Sequence, residues 1–139
     1  MNTQTKVLMV EDSISLSAIY KAYLDDTNYQ LACVETLGSA HATLGAFQPD
    51  IILLDIELPD GSGMDFLVEA AALEPTPKII IMTAHGSSDM AVKAIQRGAF
   101  DFLTKPFDAA RLKVTLDNAA AQLQLVKRAN KLSQLERDN

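Results

Sequence analysis

The chain predicts a doubly wound α/β fold, a parallel sheet covered by helices on both faces, and three features of the pattern carry that prediction. Short apolar runs alternate with stretches of helical periodicity. Two of the runs, Ile51-Ile52-Leu53-Leu54 and Ile79-Ile80-Ile81-Met82, are apolar at every position, so both faces of those strands must be covered. Pro49, Pro59, Pro75, Pro77 and Pro106 all fall between the predicted elements, where a residue without an N–H interrupts neither helix nor ladder.

The first strand is read at Val7-Leu8-Met9-Val10, the second at Gln30 to Val34, and the fifth at Phe102-Leu103, with the two apolar runs as third and fourth. Helices are predicted near 14–26, 39–47, 63–73, 88–97 and from 108 onward. Each follows a residue whose side chain can accept from the first free backbone N–H groups: Ser13, Ser39, Ser62, Ser87 and Asp108. Gly98, after Arg97, suits a helix C-cap. Five βα units with right-handed crossovers put the ligand site at the carboxyl ends of the strands.

At 139 residues the chain has room for one core plus an extension. Hydrophobic residues make up 48% and charged residues 22%, which argues against a mainly disordered chain. A net charge of -6 argues against direct nucleic-acid contact, which needs Lys and Arg to neutralise phosphates. The single cysteine, Cys33, lies in the apolar stretch Leu31-Ala32-Cys33-Val34 and is expected to be a small buried hydrophobe. Met1 to Lys6 lack a signal-peptide core, and no run approaches the roughly 20 apolar residues of a membrane span, so the cytoplasm is expected and no membrane.

The last helical pattern runs from Asp108 to about Gln134, beyond the roughly 10 to 14 residues of an ordinary helix. Leu112, Leu116, Ala119, Leu123 and Val126 make one apolar stripe, and Leu125, Leu132 and Leu135 a second at heptad-like spacing. Two readings stand: a helix that packs only on its own sheet, or a linker or homodimer helix whose second half projects, which is favoured.

Polar residues stand where each apolar strand but the second stops: Glu11 and Asp12 after the first, Asp55 after the third, Thr83 after the fourth, Lys105 after the fifth. In this fold they converge on one end of the sheet. Three carboxylates about 5 Å apart repel by roughly 3 kcal/mol per pair at an effective dielectric near 20, so a cation must compensate. Oxygen donors without Cys or His favour Mg²⁺, Mn²⁺ or Ca²⁺ over zinc, and Mg²⁺ suits few carboxylates plus phosphate oxygens. With Asp55 as a phosphoryl acceptor, Lys105 could pair with one oxygen of that group and the Thr83 hydroxyl bond another. Taken singly, each is an ordinary loop or cap residue.

The stretches Val10-Glu11-Asp12-Ser13, Leu53 to Gly63, Met82-Thr83-Ala84 and Gly98 to Phe107 resemble the receiver domains of two-component response regulators. The resemblance covers about residues 6 to 120. It implies a flavodoxin-like fold with sheet order 2-1-3-4-5, a receiver domain over 1–120, a cis bond between Lys105 and Pro106, and phosphorylation by a histidine kinase or histidine phosphotransfer protein followed by slow self-hydrolysis. By the same resemblance Glu11 and Asp12 are metal acids, Asp55 is the phosphoacceptor, and Glu57 gives its backbone carbonyl to the metal. Thr83 and Lys105 bind the phosphoryl group, Phe102 with Thr83 forms the switch, and Glu57 and His85 line the rim. Phe102 has no phenolic hydroxyl, so a switch relying on one is excluded. The long helix and the charged end look like the linker, here 121–139, of an NtrC-type regulator with ATPase and DNA-binding output domains, close in detail to one of quorum sensing.

Three rival functions share parts of this pattern. Asp55-Ile56-Glu57 with a later Thr and Lys also resembles an aspartyl-phosphate phosphatase of the haloacid dehalogenase type, but such enzymes usually carry an Asp two residues after the nucleophile and a later acidic pair. A flavin-binding reading needs a phosphate loop after the first strand, where Glu11-Asp12 would repel phosphate. A receiver that only binds partners would need a broken pocket, and no member is missing. The chain therefore reads as a signalling phosphoacceptor rather than an enzyme.

Overall fold

The structure, a computed structural model, describes residues 4–86 and 88–138. Seven strands and five helices follow in the order β1 (Thr5–Val10), α1 (Ile14–Tyr23), β2 (Tyr29–Val34), α2 (Leu37–Phe47), β3 (Ile51–Asp55), β4 (Glu57–Leu58), β5 (Gly61–Ser62), α3 (Gly63–Ala71), β6 (Lys78–Thr83), α4 (Ser88–Gln96), β7 (Asp101–Thr104) and α5 (Ala109–Asp138). The main sheet is all parallel with order β2-β1-β3-β6-β7, which is the expected 2-1-3-4-5 once the small hairpin β4-β5 is set aside.

Alternation along the strands divides the core in two, because successive side chains point to opposite faces. Val7, Met9, Ile51, Leu53, Ile80, Met82 and Leu103 face α1 and α5, meeting Tyr20, Leu24, Leu112, Leu116 and Ala119. Leu8, Val10, Ile52, Leu54, Ile79 and Ile81 face the other helices, meeting Ala40, Phe66, Leu67, Ala70 and Ala94. Each large side chain so buried stabilises the fold by about 1.5–3 kcal/mol. This two-sided burial explains why residues 51–54 and 79–82 have no polar position, polar residues coming only at the strand ends.

Ser13, Ser62 and Asp108 cap their helices as expected, accepting from the backbone N–H of Leu16, Met64 and Arg111. Three expectations are corrected. The cap of α2 is Thr36, not Ser39: the Thr36 hydroxyl accepts from the Ser39 N–H at 3.0 Å, so the helix begins two residues earlier. The first and third helices stop at Tyr23 and Ala71, short of 26 and 73, in tight turns. Cys33 is exposed, because β2 is an edge strand of the sheet. Ser87 lies outside the described residues.

Gly98 has φ +114, a conformation open to glycine at low cost, and ends the α4 segment as expected. Within α5, Leu112, Leu116 and Ala119 are fully buried and Leu123 partly so, whereas Leu125, Val126, Leu132 and Leu135 are about half exposed or more. Among the described residues no helix is long and apolar enough to cross a membrane.

Candidate functional site

The carboxyl ends of β1, β3, β6 and β7 meet at one point. The Glu11 N–H donates to the Val34 carbonyl at 3.0 Å, carrying sheet pairing one residue past β1 and holding the Glu11 side chain inside, fully buried. The chain then turns out through exposed Asp12 to the Ser13 cap, whose N–H donates to Glu11 Oε2 at 3.1 Å. Asp55 ends β3 and is 5% exposed; its Oδ1 accepts from the Glu57 N–H at 2.9 Å. Carboxylate oxygens of Glu11, Asp12 and Asp55 lie within 4.8 Å of one another.

Lys105 reaches this cluster from the end of β7. Its N–H donates to the Thr83 carbonyl at 2.8 Å, and its Nζ lies 2.7 Å from Asp55 Oδ2 and in close ion-pair contact with Glu11 Oε1. The contact with Glu11 is poorly directed for a hydrogen bond, and Oε1 has no other partner. The bond between Lys105 and Pro106 is cis, as the resemblance implies; Glu74–Pro75 is cis as well. Phe107 then stacks on Tyr20 of α1, ring centroids 4.3 Å apart and 14° from parallel.

Burial pushes the Glu11 carboxyl above its ordinary value, against the pull of the Lys105 ammonium and the Ser13 N–H, and the Asp55 charge adds to the rise. Burial alone would lower Lys105, but its hydrogen bond to Asp55, its ion pair with Glu11 and the charges of both carboxylates outweigh that and hold it above its ordinary value. One ammonium among three carboxylates leaves the pocket with excess negative charge. Oxygen-only donors this close, with Asp12 open to solvent, fit a hard divalent cation that keeps part of its water shell.

Thr83 is buried at the end of β6, and its hydroxyl accepts from the His85 N–H at 3.0 Å. His85 and Glu57 have exposed side chains on the two loops that flank the pocket. Phe102 on β7 is half-buried and packs against the core face shared by α3 and α4. Glu11, Asp12, Asp55 and Lys105 thus form one side-chain cluster, Thr83 adjoins it through its carbonyl to the Lys105 N–H, and Phe102 lies on β7, three residues before Lys105.

Four contributors were not legible. The strands β4 and β5 turn the expected loop into a hairpin, and Asp60 at its tip accepts from the Leu37 and Gly38 N–H groups at 2.9 and 3.0 Å. Gly63 passes so close to the Asp55 carbonyl that a Cβ there would lie 2.6 Å from it. Tyr20 and Phe107, two residues past Lys105, stack on each other in the core, signalled in sequence only as apolar positions.

The response regulator receiver domain family matches residues 7–117. The chain belongs to that family. It is similar to the regulatory protein LuxO of Vibrio cholerae, 44% identical over 124 residues that cover 89% of this chain and 26% of that protein. It is also similar to the chemotaxis protein CheY of Listeria monocytogenes, 34% identical over 116 residues covering 83% of this chain and 98% of CheY. Among solved structures it resembles the signal receiver domain of a LuxO repressor protein from Vibrio parahaemolyticus, with TM-score 0.87, 41% identity, and coverage of 91% of this chain and 98% of that one. The chain is thus a signalling domain spanning about a quarter of the LuxO relatives' length. Receiver domains take phosphate from histidine kinases and bind Mg²⁺ at an acidic pocket.

Proposed function

We propose that this receiver domain accepts a phosphoryl group on Asp55 from a phosphohistidine of a histidine kinase or histidine phosphotransfer protein. The observation that carries the reading is the state of the Asp55 carboxylate: buried, with one oxygen fixed by the Glu57 N–H and the other by Lys105, beside Glu11 and Asp12. In the transfer an Asp55 oxygen attacks phosphorus, the phosphorus–nitrogen bond breaks, and the imidazole leaves with the electron pair. Lys105 moves from the carboxylates to an oxygen of the incoming group, and the Thr83 hydroxyl donates to another. Glu11, Asp12, Asp55 and the Glu57 backbone carbonyl are the residues to hold Mg²⁺, which when bound neutralises charge on the transferring oxygens.

The new group carries about -1.5 to -2 charges. Drawing Thr83 and Lys105 toward it shifts the loops after β6 and β7 and biases Phe102 between packing states. Glu57 and His85 at the rim control water access and so the slow loss of the group. Residues 1–120 act as the receiver and 121–139 as a helical linker toward ATPase and DNA-binding output domains of a quorum-sensing transcription regulator in the cytoplasm, with the exposed leucines of α5 available to a second copy. Acetyl phosphate with and without Mg²⁺ tests the reading: one phosphoryl group should be added, only with the metal, and none in Asp55→Ala. Equal labelling of the variant, or rapid release of phosphate from small esters by the chain, would overturn it.

A further inference from the structure

Two buried side-chain atoms among the described residues have no hydrogen-bond partner, Glu11 Oε1 and the Tyr20 hydroxyl. Both belong to the surroundings of Lys105. Tyr20 is 1% exposed, its ring is clamped on Phe107, two residues past Lys105, and its hydroxyl lies within electrostatic range of Lys105, Glu11 and Asp55. An unpaired buried hydroxyl is destabilising, and a Phe in this place would pack the same ring without that cost. Phosphoryl-site chemistry gives the hydroxyl a use. In the resting domain Glu11 Oε1 is held by the Lys105 ammonium. Once Lys105 is drawn to a phosphoryl group, that oxygen becomes a buried acceptor that has lost its cation, within electrostatic range of a buried hydroxyl that has no hydrogen-bond partner at rest.

We infer that Tyr20 is a positioning residue of the phosphoryl site, whose hydroxyl donates to Glu11 when Lys105 leaves it for the phosphoryl group. The inference rests on Asp55 being the acceptor. The exchange leaves no proton transferred: the ammonium keeps its three protons and turns them to new acceptors, and the phenol keeps its own while directing it at Glu11. Stacking on Phe107 holds the ring while the Lys105 side chain moves, so the hydroxyl is in place before the group arrives. The resting domain therefore carries an unsatisfied hydroxyl that the phosphorylated domain pairs, which favours the phosphorylated state.

The variant Tyr20→Phe separates this role from packing, since it keeps the stack. Thermal melts of wild type and variant are compared with and without Mg²⁺ and beryllium fluoride, a phosphoryl mimic, and the mimic is titrated. The expected result is a resting variant as stable as wild type or more so, with mimic affinity weakened by about tenfold, as for a lost hydrogen bond to a charged group. Equal affinity in the two proteins overturns the inference, and so does a resting variant destabilised as much as the mimic-bound one, because the hydroxyl would then be bonded at rest. A wild type that gains no stability from the mimic fails the Asp55 reading itself and removes the basis for the inference. A second measurement needs no change at Tyr20: in the Tyr23→Phe/Tyr29→Phe protein Tyr20 is the only tyrosine, and its resonance Raman doublet should move from a free to a donating hydroxyl on adding the mimic. An unchanged doublet contradicts the exchange.

Discussion

The two loops that flank the pocket are built in opposite ways. The loop after β3 is tied at every step: Ile56 donates to the Met82 carbonyl at 3.1 Å, Glu57 to Asp55, and Gly63 back to the Ile56 carbonyl at 3.0 Å. Its hairpin is pinned to the start of α2 through Asp60. The loop after β6 is secured by the Thr83 hydroxyl accepting from His85, and Ala84, His85 and Gly86 are exposed. The difference teaches a division of labour. On the proposed function, an acceptor at Asp55 is held still for attack in line, while the side that would report phosphorylation is free to move.

Glycine substitutions break the comparison most sharply. A Cβ on Gly63 would meet backbone, the Asp55 carbonyl at 2.6 Å and the Ile56 Cα at 2.8 Å. Backbone cannot rotate away, so Gly63→Ala is expected to destabilise by about 3 kcal/mol despite its gain in helix propensity. A Cβ on Gly86 would also come within 2.6 Å of an atom, but that atom is the hydroxyl of exposed Thr104, which can turn aside. Gly86→Ala should cost about 1 kcal/mol or less. Urea melts of the two variants check this, and equal losses would erase the distinction between the loops.

The pinning of the acceptor loop has a pH signature. The N–H groups of Leu37 and Gly38 hold the Asp60 carboxyl below its ordinary value of 3.8. A carboxyl lowered on folding contributes stability that is present above 3.8 and lost as pH falls through the lowered value. The amide shifts of Leu37 and Gly38 should titrate together in that acid range and cease to do so in Asp60→Asn. Titration at the ordinary value would mean the hairpin is not pinned.

Amide exchange sharpens the comparison further. On adding Mg²⁺ and beryllium fluoride, protection should change across 84–107 more than across 55–63, and a uniform change would contradict unequal loops. The smallest expected effect concerns the rim. His85→Ala should alter the lifetime of the phosphoryl group by at least about threefold, about 0.7 kcal/mol in barrier, with phosphorylation retained. An unchanged lifetime would make His85 a bystander.

What could be read from the sequence follows from what leaves a local trace. Strands buried on both faces must be apolar throughout, and functional groups of this fold collect at strand ends, so Glu11, Asp55, Thr83 and Lys105 could be brought together before any coordinates. Cys33 misled because an apolar stretch does not tell an edge strand from a central one. Ser39 and Thr36 are both good caps, and the choice between them depends on the Asp60 contact from a distant hairpin. That hairpin has two residues per strand, too short for a period. Gly63 matters through its approach to the Asp55 and Ile56 backbone and Tyr20 through its stack on Phe107, far along the chain, which no pattern along the chain encodes.

The central claim is that the phosphoryl group sits on the Asp55 carboxylate, and it has a direct chemical readout. An acyl phosphate is reduced by borohydride to an alcohol, so an aspartyl phosphate becomes homoserine and leaves its mark at one position. After treatment with acetyl phosphate and Mg²⁺ followed by borohydride, peptide mass spectrometry should find homoserine at position 55 alone. Homoserine at another aspartate, or an unreduced chain with the phosphoryl group on a serine, threonine or histidine, would contradict the account.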